Sequence, residues 1–227
     1  MFCLWNLRPV FSLRLQEIEK IFIQVYPDLI HPAEVILLFE TSKTSYVQFP
    51  EPGIIVLKGS DDLFFDEYVY EFYRYVLQEW NPSKKHIALY MGCSNHKPFS
   101  QSFVHMKVIR MLEKHGLEDF VQQFIVSEPL TICPRELEET FPAANYDFPP
   151  DRLGEKGRKE FISRLQTFLH KRAMSMYRFH VGFMPNHHKE IFRQASEGLL
   201  EPQFVPYNVY QLPKLLTLLK ALKKCRR

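Results

Sequence analysis

The sequence predicts an α/β protein, a three-layer sandwich whose mostly parallel central sheet is covered by helices on both faces. Three observations predict it. Short runs rich in apolar and strand-forming residues recur along the chain, the strongest being His86-Ile87-Ala88-Leu89-Tyr90-Met91. A run this continuous shows no polar side to water, as expected of a strand covered on both faces. Strand-like and helix-like segments alternate, the pattern of parallel strands joined by helical crossovers. Finally, 227 residues with 46% hydrophobic and 24% charged content suit one globular α/β domain with a sizeable core. A single domain spanning 1–227 is expected, with its chemistry concentrated in residues 86–150.

Taken in order, residues 11–26 place Leu13, Ile18, Ile21, Phe22 and Val25 at near-helical intervals behind Ser12 as N-cap. Residues 34–39 and 46–49 read as strands, and Ile54-Ile55-Val56-Leu57 as a short buried one. Gly59-Ser60-Asp61-Asp62 opens a helix that runs to about Trp80. Its many aromatics, Phe64 to Tyr75, suggest a helix packed on more than one side. After the central strand and a polar loop, Phe103 to His115 is helical, with Gly116 as its C-cap. Residues 124–127 form a further strand. Prolines at 129, 134, 142, 149 and 150 mark a long specified loop. A helix over 155–176, a strand over 178–183, a helix over 187–195, an irregular aromatic stretch over 201–213 and a C-terminal helix over 212–224 with a basic tail complete the chain.

Composition narrows the function. Net charge is +3, mildly basic and compatible with nucleic-acid contact. Lys84, Lys85, Lys156, Arg158, Lys159 and the C-terminal basic cluster are candidate phosphate contacts. Cys3, Cys93, Cys133 and Cys225 show no paired spacing and read as reduced thiols. No run reaches transmembrane length, and the first residues lack the features of a signal peptide, so a soluble cytoplasmic protein with no membrane partner is expected. Cys93, His96 and His105, with His187 and His188 downstream, do not match the paired spacings of structural zinc sites. Neither metal nor cofactor is expected.

The loop after the central strand, Gly92 to Ser102, holds a thiol, an ammonium, an imidazole and several hydroxyls and amides. In α/β sheets the carboxyl end of a strand, before the next helix, is where ligands bind. The loop fits Cys-x3-Lys-Pro-Tyr-x2-Ser-x2-His as Cys93, Lys97, Pro98, Phe99, Ser102 and His105. Downstream, Pro134 through Asp147 follow Pro-Arg-Glu-Leu-Glu-x2-Tyr-Pro-Ala-x-His-Tyr-Asp. Both stretches resemble the core domain of archaeosine synthase, an archaeal relative of tRNA-guanine transglycosylase. Departures from the family's pattern include Gly92 for the proline before the cysteine, Phe99 for tyrosine and Asn145 for histidine.

The resemblance implies a compact stand-alone form that adds an amine, free lysine or another donor, to the nitrile of 7-cyano-7-deazaguanine in tRNA, giving an amidine. It also implies a radical-SAM partner or a separate transglycosylase-like or RNA-binding subunit. Amidine formation needs a deprotonated amine, a proton for the nitrile nitrogen and fixed geometry. Cys93 is the candidate nucleophile, and a helix N-terminus with Lys97 beside it favours the thiolate. Lys97 suits a substrate carboxylate or phosphate. Ser94 and Ser102 are placed to bind or orient the base, and His105 to shuttle a proton. Arg135 has a fork suited to a carboxylate or phosphate. Glu136, Glu139 and Asp147 are acid–base or guanine-edge partners, and Tyr146 is a surface on which the base can stack. Two other readings stay open: a non-catalytic subunit that binds tRNA or a partner, and a nucleobase-binding hydrolase on the same scaffold.

Overall fold

The computed structural model describes residues 8–9, 47–48 and 56–225. The expected helix over 11–26 and strand over 34–39 lie outside these residues. Of the expected strand over 46–49, Val47–Gln48 pairs antiparallel with Arg8–Pro9.

The sheet is built around β2 (Ile87–Gly92), every residue of which is buried. On one side β2 pairs in parallel with β3 (Val121–Ser127), and on the other with β6 (Phe179–Phe183). Beyond β3 lies β4 (Thr131–Pro134), antiparallel. Beyond β6 lies β7 (Gln203–Phe204), parallel. The spatial order is therefore β4-β3-β2-β6-β7. A separate two-residue pair joins β1 (Leu57–Lys58) to β5 (Tyr146–Asp147) in parallel.

Side-chain alternation along β2 separates the two faces. Ala88 and Tyr90 point into one apolar layer, with α1 (Glu67–Gln78), α3 (Glu155–Phe168) and α4 (Asn186–Ser196) packed on it through Phe72, Phe161 and Phe192. Ile87, Leu89 and Met91 point the other way, against α2 (Phe103–Lys114) and α5 (Leu212–Lys224), which contribute Val108, Leu112, Leu215 and Leu219. Both faces are thus sealed, which is why β2 reads as an unbroken apolar run. This is the three-layer arrangement the sequence predicts. Gly116, at φ +58°, closes the C-terminus of α2 as expected.

Several elements differ from expectation. The proline-rich stretch is not loop throughout, because Thr131–Pro134 forms the edge strand β4 and Tyr146–Asp147 forms β5. Proline is tolerated on a strand that pairs on one side only. Gln203–Phe204 adds a short strand within the segment read as irregular. The helix expected from Gly59 is broken. Asp61–Phe65 is a 3-10 turn, and α1 begins only after Asp66, whose carboxylate caps the Tyr68 and Val69 amides at 2.9 and 3.3 Å.

Asp61 caps a different helix. Its two carboxylate oxygens accept from the amides of Gly154 and Gly157, at 2.7 and 2.8 Å, at the start of α3. Added Cβ atoms at these glycines would come within 2.6 and 2.3 Å of the Asp61 carboxylate, so side chains there would expel the cap. The helix runs on through a π-helical turn, Leu169–Ala173, to Met176. Asp61→Ala is expected to destabilise the protein by about 1 kcal/mol, the usual worth of an N-cap, in urea-unfolding curves. An unchanged midpoint would show the cap to be dispensable.

Candidate functional site

The chain runs from β2 through α2 to β3 on one side, then returns through α3 to β6 on the other. The carboxyl end of β2 is therefore the point where the connections diverge, the place where open α/β sheets bind ligands. Three side chains meet there, each from the end of a neighbouring strand. Cys93 follows Gly92, the last residue of β2, and its amide donates to Val126 O at 3.0 Å. Glu128 follows Ser127, the last residue of β3. His188 lies in the first turn of α4, just beyond β6. The Cys93 sulfur is 3.8 Å from Glu128 Oε2 and 3.9 Å from His188 Nε2, and those two atoms are 2.8 Å apart. Both Glu128 and His188 are 1% exposed, whereas Cys93 is half-buried.

Burial works against charge on His188, but the Glu128 carboxylate and Cys93 outweigh it and hold the imidazole pKa up at about 10. Burial also pushes the Glu128 carboxyl upward, yet the His188 charge and hydrogen bond hold it below the usual carboxylate value. The pair is an ion pair at neutral pH. Gly92 makes room for it, since a Cβ there would lie 2.4 Å from Pro185 Cδ and 3.0 Å from His188 Nδ1. Pro185 fills the space that a side chain at 92 would need.

Lys97 lies within electrostatic reach of Cys93. Its ammonium is 4.0 Å from the centre of the Tyr146 ring and 5.6 Å from that of Phe99. Burial lowers its pKa, while Cys93 and Asp147 act in the opposite sense. Asp147 itself is exposed, beside buried Tyr146 on β5. Cys93, Lys97, Tyr146 and Asp147 therefore come together.

The remaining residues singled out from the sequence have other surroundings. Tyr146 is 4% exposed, its hydroxyl hydrogen-bonds to Ser127, and Lys97 covers a ring face, so it offers a base no open stacking surface. Burial raises its pKa well above the ordinary phenol value. His105 is fully buried, and both ring nitrogens are engaged: Nε2 donates to Gly92 O at 2.9 Å, and Nδ1 accepts from Arg135 at 2.6 Å. Burial, reinforced by Arg135, lowers its pKa to about 3, so it stays neutral and holds the loop rather than carrying a proton. Arg135 also pairs with Glu138 at 2.6 Å, and Glu138 accepts from the Ser100 amide at 3.0 Å. Both terminal nitrogens of Arg135 are thus engaged inside the fold. Glu136 accepts from Trp80 Nε1 at 3.2 Å and Gln122 Nε2 at 2.8 Å. Gln122 lies opposite Ala88, towards the amino ends of the strands, so Glu136 is away from Cys93. Glu139 is exposed. Ser94 donates to His96 O at 3.0 Å within its own turn. Ser102 precedes α2 and is buried, and its hydroxyl has no hydrogen-bond partner among the described residues.

Glu128 and His188 are absent from the sequence reading as site residues. They belong to no local motif, and only the strand order brings them to Cys93. Their one signal in the sequence is position, since each sits just past a strand run as Cys93 does. Among the described residues, Cys93, Glu128 and His188 are also the one group of three able to hold a metal ion, a set different from the Cys93, His96 and His105 spacing.

Fold and site define a three-layer α/β protein with a cysteine–histidine–carboxylate cluster at its strand ends. The chain belongs to the family described as Domain of unknown function (DUF5591), whose model matches residues 69–210. It is 33% identical over 132 residues to the archaeosine synthase subunit alpha of Methanosarcina acetivorans, covering 58% of this chain and 20% of that protein. It is 36% identical over 111 residues to the archaeosine synthase subunit alpha of Thermoplasma acidophilum, covering 49% of this chain and 21% of that protein. The matched segment thus spans about a fifth of the length of these relatives. The crystal structure of AF0587, a protein of unknown function, is similar with a TM-score of 0.48 and 17% identity, covering 66% of this chain and 49% of that one.

His105 makes the fold acid-sensitive in a defined window. Its folded pKa of about 3 lies below its unfolded value of 6.5, so the unfolded chain binds the extra proton between them. Stability is expected to fall as pH drops from about 6.5 towards 3, by up to about 1.4 kcal/mol per pH unit from this group. Thermal melts across that range should show a shallower decline in His105→Gln than in the wild type. Equal slopes would exclude His105 as the source.

Proposed function

We propose that the chain is a tRNA-modifying protein of the archaeosine synthase kind. In this reading it joins an amine, lysine, to the nitrile of 7-cyano-7-deazaguanine in tRNA to give an amidine. The observation that carries this reading is the convergence of Cys93, Lys97 and Asp147 at the carboxyl end of β2, in a chain related to archaeosine synthase subunits.

A nitrile is a weak electrophile, and a sulfur nucleophile splits its conversion into two easier steps. Cys93 attacks the nitrile carbon to give a thioimidate. The neutral amine then attacks that carbon, sulfur leaves, and the amidine remains. Lys97, a cation with three donors, suits the carboxylate of the incoming amino acid or a phosphate of the RNA. Asp147, exposed beside it, suits the ring N–H and exocyclic amine of the deazaguanine edge. The relatives carry the name of a subunit, and a partner subunit, radical-SAM or transglycosylase-like, belongs to the reading.

The test is mass spectrometry of nucleosides from tRNA carrying the cyano-deazaguanine, incubated with the protein and labelled lysine. A mass gain of one lysine is expected, and Cys93→Ala should lower its rate by roughly a thousandfold or more. Asn145 favours a second reading, a non-catalytic tRNA- or partner-binding subunit. It is buried where the related motif has histidine, and both its amide atoms lack partners among the described residues. Bound tRNA with no mass gain would replace the first reading with the second.

A further inference from the structure

Two buried charges are an expensive way to hold strand ends together, because removing each ion from water costs several kcal/mol. The Glu128–His188 pair is oriented in a way that packing does not require. Glu128 Oε1 and His188 Nδ1 have no hydrogen-bond partner among the described residues, while the bonded atoms, Oε2 and Nε2, are the ones that lie 3.8 and 3.9 Å from the Cys93 sulfur. The hydrogen-bonded edge of the pair faces the Cys93 sulfur. Lys97 and Tyr146 approach from the loop and β5, the His187 ring is tilted against that of His188 on α4 with 4.0 Å between centres, and Tyr207, beyond β7, lies within electrostatic reach of Cys93. Burial and the neighbouring His188 keep His187 below its ordinary value, so it does not compete for the Glu128 proton site.

We propose that Cys93, His188 and Glu128 form one catalytic relay, in which His188 gives its Nε2 proton to the nitrogen of the group that Cys93 attacks and Glu128 keeps that proton on His188 between turnovers. The identity of that group as a nitrile rests on the function proposed above. The sulfur anion forms a bond to the nitrile carbon, one carbon–nitrogen π bond breaks, and its electron pair on nitrogen takes the proton from His188. When the neutral amine displaces sulfur, the carbon–sulfur bond breaks, the sulfur leaves as an anion, and the amine's surplus proton returns to His188 Nε2. Charge and protons close over the cycle without any further reagent.

The relay is read from the thiol itself, independently of tRNA. Full-length protein is treated with iodoacetamide at pH 7, and alkylation of Cys93 is followed by peptide mass spectrometry, with exposed Cys225 as internal control. Both Glu128→Gln and His188→Asn are expected to slow Cys93 alkylation about tenfold and leave Cys225 unchanged. Unchanged Cys93 rates in both folded variants would overturn the relay. Nitrogen-15 spectra of the wild-type imidazoles serve if the variants do not fold: two protonated nitrogens on His188 at pH 7 support the relay, and a bare Nε2 overturns it. Elemental analysis of the purified protein separates the metal alternative, since one equivalent of zinc lost in Cys93→Ala would replace the relay with a metal site. If the thiol responds as expected but labelled lysine is not transferred to tRNA, the relay stands and the nitrile reading falls.

Discussion

A single hydrogen bond between Glu128 and His188 joins the carboxyl ends of β3 and β6 across the end of β2. Much of the local architecture is a condition for it. The two strands must flank β2 in parallel register, so that their ends arrive at the same level. Residue 92 must lack a side chain, because Pro185 and the His188 ring occupy that space. The surroundings must be dry enough for the attraction between the two groups to prevail, and both are 1% exposed. Cys93 receives its electrostatic environment as a result of these conditions.

A second network meets the first at the same residue. From the α2 side, His105 binds Gly92 O, Arg135 binds His105, and Glu138 binds both Arg135 and the Ser100 amide. From the α4 side, the Pro185 and His188 rings fill the space that a side chain at Gly92 would take. The residue preceding Cys93 is held through its carbonyl by one network and kept free of a side chain by the other. This division explains why the motif His105, buried, and the Arg135 of the proline-rich stretch, partly buried, are both engaged. They hold the backbone at Gly92, next to Cys93, and the groups around the Cys93 side chain come from elsewhere.

The sequence made the centre of the fold legible because β2 is sealed on both faces, and such a strand cannot hide its composition. The helices over 103–114, 186–196 and 212–224 were legible from their apolar spacing. Edge elements were not. Thr131–Pro134 contains a proline, and Gln203–Phe204 is two residues long, so both gain strand character only from a neighbour already in place. Near the strand ends, the sequence marks Cys93, Lys97 and Asp147 as candidates because they lie in or beside dense motifs. Glu128 and His188 lie sixty residues apart and are joined by topology alone. Tyr146 and Arg135 were identified as chemically capable, but residue type does not reveal whether a ring face or a guanidinium is already occupied.

The capping of α3 by Asp61 also orders events in time. Gly154 at its N-cap position has no side chain to bind the first amides, so the start of the helix is incomplete as a local sequence. The carboxylate that completes it lies 93 residues earlier in the chain. During synthesis, which proceeds from the amino terminus, that carboxylate leaves the ribosome long before the helix exists. By the time α3 emerges, β2, β3 and β4 have preceded it, and the helix is laid down against a surface that already carries its cap.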